Sequence, residues 1–67
     1  MIYIICPFFN EEKNVSKFLS SFPIREDLFF ILINDGSKDE TLSEINKYVA
    51  ENLISYKIIN HKENVGL

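Results

Sequence analysis

The residues of this chain best suited to chemistry gather in two short segments, Pro7-Phe8-Phe9-Asn10-Glu11-Glu12 and Asn34-Asp35-Gly36-Ser37. Each follows an unbroken apolar run, residues 2–6 in the first case and 28–33 in the second. A carboxylate so placed has two uses. Ionised, Asp35 accepts hydrogen bonds and donates none, which suits an imide N–H or the hydroxyls of a sugar. It can equally turn or cap the backbone, because Asn, Asp, Gly and Ser are favoured at turns and helix starts. Gly36 permits a positive φ and leaves room beside a ligand. Phe9 could line the same crevice as Asp35 if the two segments are neighbours.

The hydrophobic period sets the elements that must position them. Residues 2–6 are apolar throughout and stop at Pro7, which fits a strand covered on both faces. Val15, Phe18, Leu19 and Phe22 fall at i, i+3, i+4 and i+7, one face of a helix. Asn10 is the expected N-cap of that helix, Glu11 and Glu12 suit the positive end of its dipole, and Pro23 stops it. Residues 28–33, "LFFILI", read as a second buried strand. Ser37 and Glu40 fit a capping box, Ser-x-x-Glu, and Leu42, Ile45, Val49 and Leu53 continue at helical spacing. Residues 55–60, "SYKIIN", form the third strand, followed by the polar tail "HKENVGL". His61 is expected to be solvated, and Cys6 to be a small buried hydrophobe.

This order is β-α-β-α-β, an α/β class with parallel pairing and right-handed crossovers. An Asp-Gly pair after an apolar run is also a hairpin signal, but the residues after Gly36 have helical period and a cap. Strands in the order 3-2-1 would carry both helices on one face and leave the other apolar and uncovered. The expectation is therefore a truncated half of a Rossmann-like sheet, an incomplete domain over residues 1–67. The alternative is a chain that pairs with itself, as a homodimer or higher oligomer, through that face or the edge strand.

Composition narrows the classes. The chain has 67 residues, and below about 70–80 residues a domain often needs staples or partners. The single cysteine cannot form an internal disulfide, and no Cys/His cluster has zinc spacing. A net charge of −3 with interspersed signs argues against a nucleic-acid partner, which would require a basic stripe. A hydrophobic content of 46% excludes the disordered class. The opening "MIYIICPFF" is too short to span a bilayer and lacks a basic leader, so a cytoplasmic setting is expected.

In open α/β sheets, ligands bind outside the carboxyl ends of the strands, where both polar segments fall. A Gly-rich phosphate loop is missing. No glycine precedes Gly36, and Glu11 and Glu12 at the helix start would repel a phosphate. A nucleotide bound here would present its base or ribose, with its phosphates elsewhere.

With these motifs placed, the segments "IICPFFNEEKNVSKFLSSF", "FFILINDGSKDETLSEINKY" and "KIINHKENVGL" resemble the start of a family 2 glycosyltransferase with the GT-A fold. That family opens with a strand and Pro-x-aromatic-Asn-Glu. It continues with a strand ending in Asp-Asp-Gly-Ser or Asn-Asp-Gly-Ser and x-Asp-x-Thr, then a third strand and Asn-x-Gly. The resemblance implies an enzyme that transfers a sugar from a nucleotide donor, commonly a UDP-sugar, to an acceptor hydroxyl, as in cell-envelope polysaccharide synthesis.

It implies that Asp35 hydrogen-bonds the uracil, that Pro7 and Phe9 line the base and ribose pocket, and that Glu11 lies near the nucleoside. A tyrosine is common where this chain has Phe9. Asp39 and Thr41 match motif positions that cap and pack. The family's Asp-x-Asp, which holds a divalent Mn or Mg ion and through it the diphosphate, is missing from these residues, as is the acceptor base. No catalytic residue and no metal ligand is therefore assigned in this chain, and alone it is expected to be inactive. The full-length protein would work in the cytoplasm or at the inner face of the membrane. Two other readings stay open: a phosphoryl-transfer α/β domain with Asp35 at its site, and a non-catalytic, self-associating module.

Overall fold

A computed structural model describes residues 1–61 of the chain. The elements alternate as β1 (Ile2–Phe8), α1 (Val15–Leu19), β2 (Leu28–Asp35), α2 (Thr41–Glu51) and β3 (Ser55–His61). The strands lie in the order β1-β2-β3, and both pairs are parallel. Ile2 faces Leu28 and Phe8 faces Asn34, while Phe29 faces Ser55 and Asp35 faces His61. This is the α/β arrangement that the alternating periods imply. The Asn-x-Gly element of the tail, Asn64 to Gly66, lies outside the described residues.

All three strands outrun their apolar runs. β1 continues through Pro7 to Phe8. A proline has no N–H to give to a ladder, and an edge strand is where a sheet tolerates that. β2 takes in Asn34 and Asp35, so the candidate carboxylate belongs to the central strand itself.

The core forms between one face of the sheet and both helices. Leu28, Phe30 and Leu32 of β2 join Cys6 and Phe8 of β1, Val15 and Leu19 of α1, and Ile45 of α2 in one buried cluster. Side chains of a strand alternate between its faces, so these three β2 residues necessarily share a side. A chain of edge-to-face rings, Phe8 to Phe18 to Phe22 to Phe30, borders the cluster, with centroids 5.9, 5.4 and 5.6 Å apart. The opposite face carries Tyr3 and Ile5, each 63% exposed, with Tyr3 set edge-on to Phe29. It is the open face that this strand order produces.

The helices are shorter than their periods suggest. α1 begins after Asn14 and not after Asn10. Asn10 has φ 51°, a left-handed conformation that asparagine visits more readily than most residues but that a helix N-cap does not adopt. Phe22 lies beyond the helix, and Phe18 is half-exposed. α2 ends at Glu51, because Asn52 is extended and its side-chain amide donates to the Tyr48 carbonyl at 2.9 Å. Leu53, expected on the buried stripe, is 92% exposed.

Leu32 is fully buried in this cluster. Leu32→Ala should cost about 2–5 kcal/mol, the usual range for a large-to-small core change. That is enough to abolish the cooperative urea transition of so small a domain when followed by far-ultraviolet circular dichroism. Ile5→Ala, on the open face, should leave the transition in place.

Candidate functional site

The polar segments meet at the carboxyl end of the sheet, and main-chain donors of one bond to side chains of the other. The Asn10 N–H donates to Ser37 Oγ at 2.9 Å, and the Lys38 N–H returns a bond of 2.9 Å to Asn10 Oδ1. The Glu11 N–H donates to Thr41 Oγ1 at 2.8 Å, and the Glu12 N–H reaches Asp39 Oδ2 at 3.4 Å. Asp39 Oδ1 accepts from the Thr41 N–H at 3.0 Å and also from the Thr41 hydroxyl. Residues 10–12 and 37–41 are thus clasped into one unit.

This clasp replaces the expected helix caps. Ser37 does not cap α2, since its hydroxyl accepts from Asn10 across the loops. Glu40 occupies the N-cap position without a side-chain bond, and Asp39 satisfies the first free amide of α2 instead. Asn10 likewise spends its side chain on Lys38. The Thr41 hydroxyl, with the N–H groups of Thr41 and Glu12 assisting, holds the Asp39 carboxyl below its ordinary value against the desolvation that would raise it.

Asp35 is buried, 5% exposed, at the end of β2. By strand alternation it lies on the face opposite Leu32 and Asn34. His61 does not stand free in solvent: its Nδ1 lies 3.1 Å from Asp35 Oδ1, and its side chain is 31% exposed. Gly36, at φ 72°, turns the chain so that its N–H donates to the His61 carbonyl at 3.0 Å. On the other face, Asn34 Nδ2 donates to Asn60 Oδ1 at 2.7 Å. The buried Asn34 Oδ1 has no partner among the described residues.

The four residues expected at a nucleotide reach the same end of the sheet, and two of them line one depression. Pro7 and Glu11 line an open depression of about 270 Å³ with Phe8, Asn14 and Phe18. Glu11 Oε2 is held there by Asn14 Nδ2 at 3.0 Å. Phe9, one residue past β1, is 45% exposed. Pro7 faces Ile33 in the β1–β2 register, two residues before Asp35, so on that side the two lie on one face. A larger open depression of about 490 Å³ lies between the helices and includes none of the strand ends. Among the described residues, no group of three or more His, Cys, Asp or Glu side chains gathers to hold a metal ion. Cys6 is buried, and burial pushes its thiol up to about 11, so it supplies no thiolate near neutral pH.

His61 is the neighbour of Asp35 that the one-dimensional reading missed. The signal existed: "LIND" and "IINH" are two apolar residues, an asparagine and a polar side chain, and matching their asparagines puts Asp35 opposite His61, as observed.

Parallel strands in sequential order, with clasped polar turns at their carboxyl ends, define a Rossmann-like α/β protein. The profile described as Glycosyl transferase family 2 matches residues 3–67, and the chain belongs to that family. Over 70 aligned residues it is 34% identical to the dodecaprenyl-phosphate galacturonate synthase of Rhizobium johnstonii, covering 94% of this chain and 20% of that protein. It is 37% identical over 67 residues to an uncharacterized protein of Methanocaldococcus jannaschii, covering 98% of this chain and 28% of that protein. The chain therefore spans between a fifth and three tenths of the length of these relatives. No solved structure matches it significantly.

The clasp gives a pH prediction. A carboxyl whose folded pKa is depressed adds stability above its unfolded value, 3.8 for Asp39, and loses that contribution as pH falls through the lower folded value. In an amide NMR titration, Glu12 and Thr41 should shift together in that acid window. In Asp39→Ala the shared transition should vanish.

Proposed function

We propose that this chain is the nucleoside-binding portion of a glycosyltransferase that moves a sugar from a nucleotide-sugar donor, a UDP-sugar, to an acceptor hydroxyl. The observation that carries the reading is Asp35, a carboxylate ending the central strand in a chain matched to the family over residues 3–67. Uracil offers an N3–H that an ionised carboxylate accepts. Pro7 and Phe9 would flank the base and ribose, and Glu11 would stand near the nucleoside. Family membership favours sugar transfer over the phosphoryl-transfer alternative.

The acidic, glycine-poor first turn supports the same division of labour, because Glu11 and Glu12 oppose a phosphate at that position. The diphosphate, the acceptor, the acceptor base and the Mn or Mg ion are proposed to be handled by other parts of the intact enzyme, working in the cytoplasm or at the inner membrane face. The name of the Rhizobium relative pairs galacturonate with dodecaprenyl phosphate. Both are candidates to screen with the intact enzyme, the second offering a phosphate oxygen in place of a hydroxyl.

Calorimetric titration with UDP and CDP tests the base-recognition reading. UDP should bind more tightly than CDP, whose ring N3 lacks the proton, and Asp35→Asn should weaken UDP by about tenfold, the low end for a hydrogen bond to a charged group. Equal affinities for the two, or indifference to Asp35→Asn, would refute it. With Mn or Mg and a UDP-sugar, the 67-residue chain alone should give neither transfer nor donor hydrolysis. Turnover above buffer in that assay would place the reaction's machinery within these residues.

A further inference from the structure

His61 grips the Asp35–Gly36 turn twice, with its carbonyl accepting from the Gly36 N–H at 3.0 Å and its Nδ1 3.1 Å from Asp35 Oδ1. The parallel β2–β3 register brings the two residues opposite each other, so the contact is built into the sheet and does not depend on a loop conformation. Asp35 is an acceptor when ionised, so the bond requires a proton on Nδ1, and in a neutral imidazole that fixes the tautomer. An ionised carboxylate has about four acceptor positions, so the bond at Oδ1 occupies only part of its capacity. What the bond removes is rotational freedom of the carboxylate about its terminal torsion, which is otherwise broad.

We propose that His61 is a positioning residue for base recognition. Its Nδ1–H orients the Asp35 carboxylate so that the site distinguishes a ring N–H donor, as in uracil, from a ring acceptor, as in cytosine. This rests on the reading of Asp35 as the base-recognising group. It assigns a role to a side chain at the last position of β3, which the family motif in this chain does not include.

The test uses the chain with UDP and CDP as probes, together with ¹⁵N shifts of its imidazole, the only one in the sequence. In its neutral form, the wild-type imidazole should carry its proton on Nδ1, and Asp35→Asn should redistribute it toward Nε2. His61→Leu should weaken UDP by about fivefold, within what one misplaced hydrogen bond can do, and leave CDP unchanged. His61→Asn, which keeps a donor near the Nδ1 position, should restore UDP binding.

Three results overturn the inference: an Nδ1 without its proton in the wild-type chain, equal weakening of UDP and CDP by His61→Leu, or no effect of His61→Leu where Asp35→Asn weakens UDP. Failure of the underlying reading looks different. There, Asp35→Asn leaves UDP binding unchanged, and the tautomer still decides whether the His61 contact exists.

Discussion

The site end of this protein depends on one exchange of hydrogen bonds, that between residues 10–12 and 37–41. Without it, two polar loops at the end of a small sheet would move independently, and ordering each backbone residue costs about 1–2 kcal/mol of conformational entropy. The clasp places main-chain N–H groups of Asn10, Glu11 and Glu12 on side-chain oxygens of Ser37, Thr41 and Asp39. Side chains that a local reading assigns to capping their own helix are instead shared across the loops. The residues around Asn10, Ser37, Asp39 and Thr41 therefore serve the geometry of the two loops.

The clasp works because β2 is fixed beneath it. β2 is the only strand paired on both sides among the described residues, and its Leu28, Phe30 and Leu32 lie under both helices. Burial of that face fixes the register, since a slip of one residue would turn these side chains to the open face and Asp35 to the core. The placement of the carboxylate is thus a consequence of hydrophobic packing three to seven residues earlier in the same strand.

Acidic side chains dominate this edge. Glu11, Glu12, Asp35 and Asp39 all fall near the carboxyl ends of β1 and β2, against two cations adjacent in sequence, Lys13 after Glu12 and Lys38 before Asp39. Such an edge suits hydroxyl and imide donors better than phosphates. The single His61 then acquires significance from its position opposite Asp35, where an Nδ1–H donates a hydrogen bond and the ring carries charge only if protonated.

The sequence by itself determined the element order, the parallel α/β class, both strand-end motifs and the family they resemble. Apolar period and local turn chemistry act over a few residues, and such signals are legible in one dimension. The helix starts were misjudged for the same reason: Asn10 and Ser37 have the right chemistry for caps, but their partners lie 28 and 27 residues away in sequence. Only the tertiary structure decided that Asn10 locks the loops, that Phe18 and Leu53 stand exposed, and that His61 meets Asp35. The physical cause is the register of β2 against β3, which pairs residues 26 positions apart. That register becomes visible only when two distant stretches, "LIND" and "IINH", are laid side by side, and neither contains it alone.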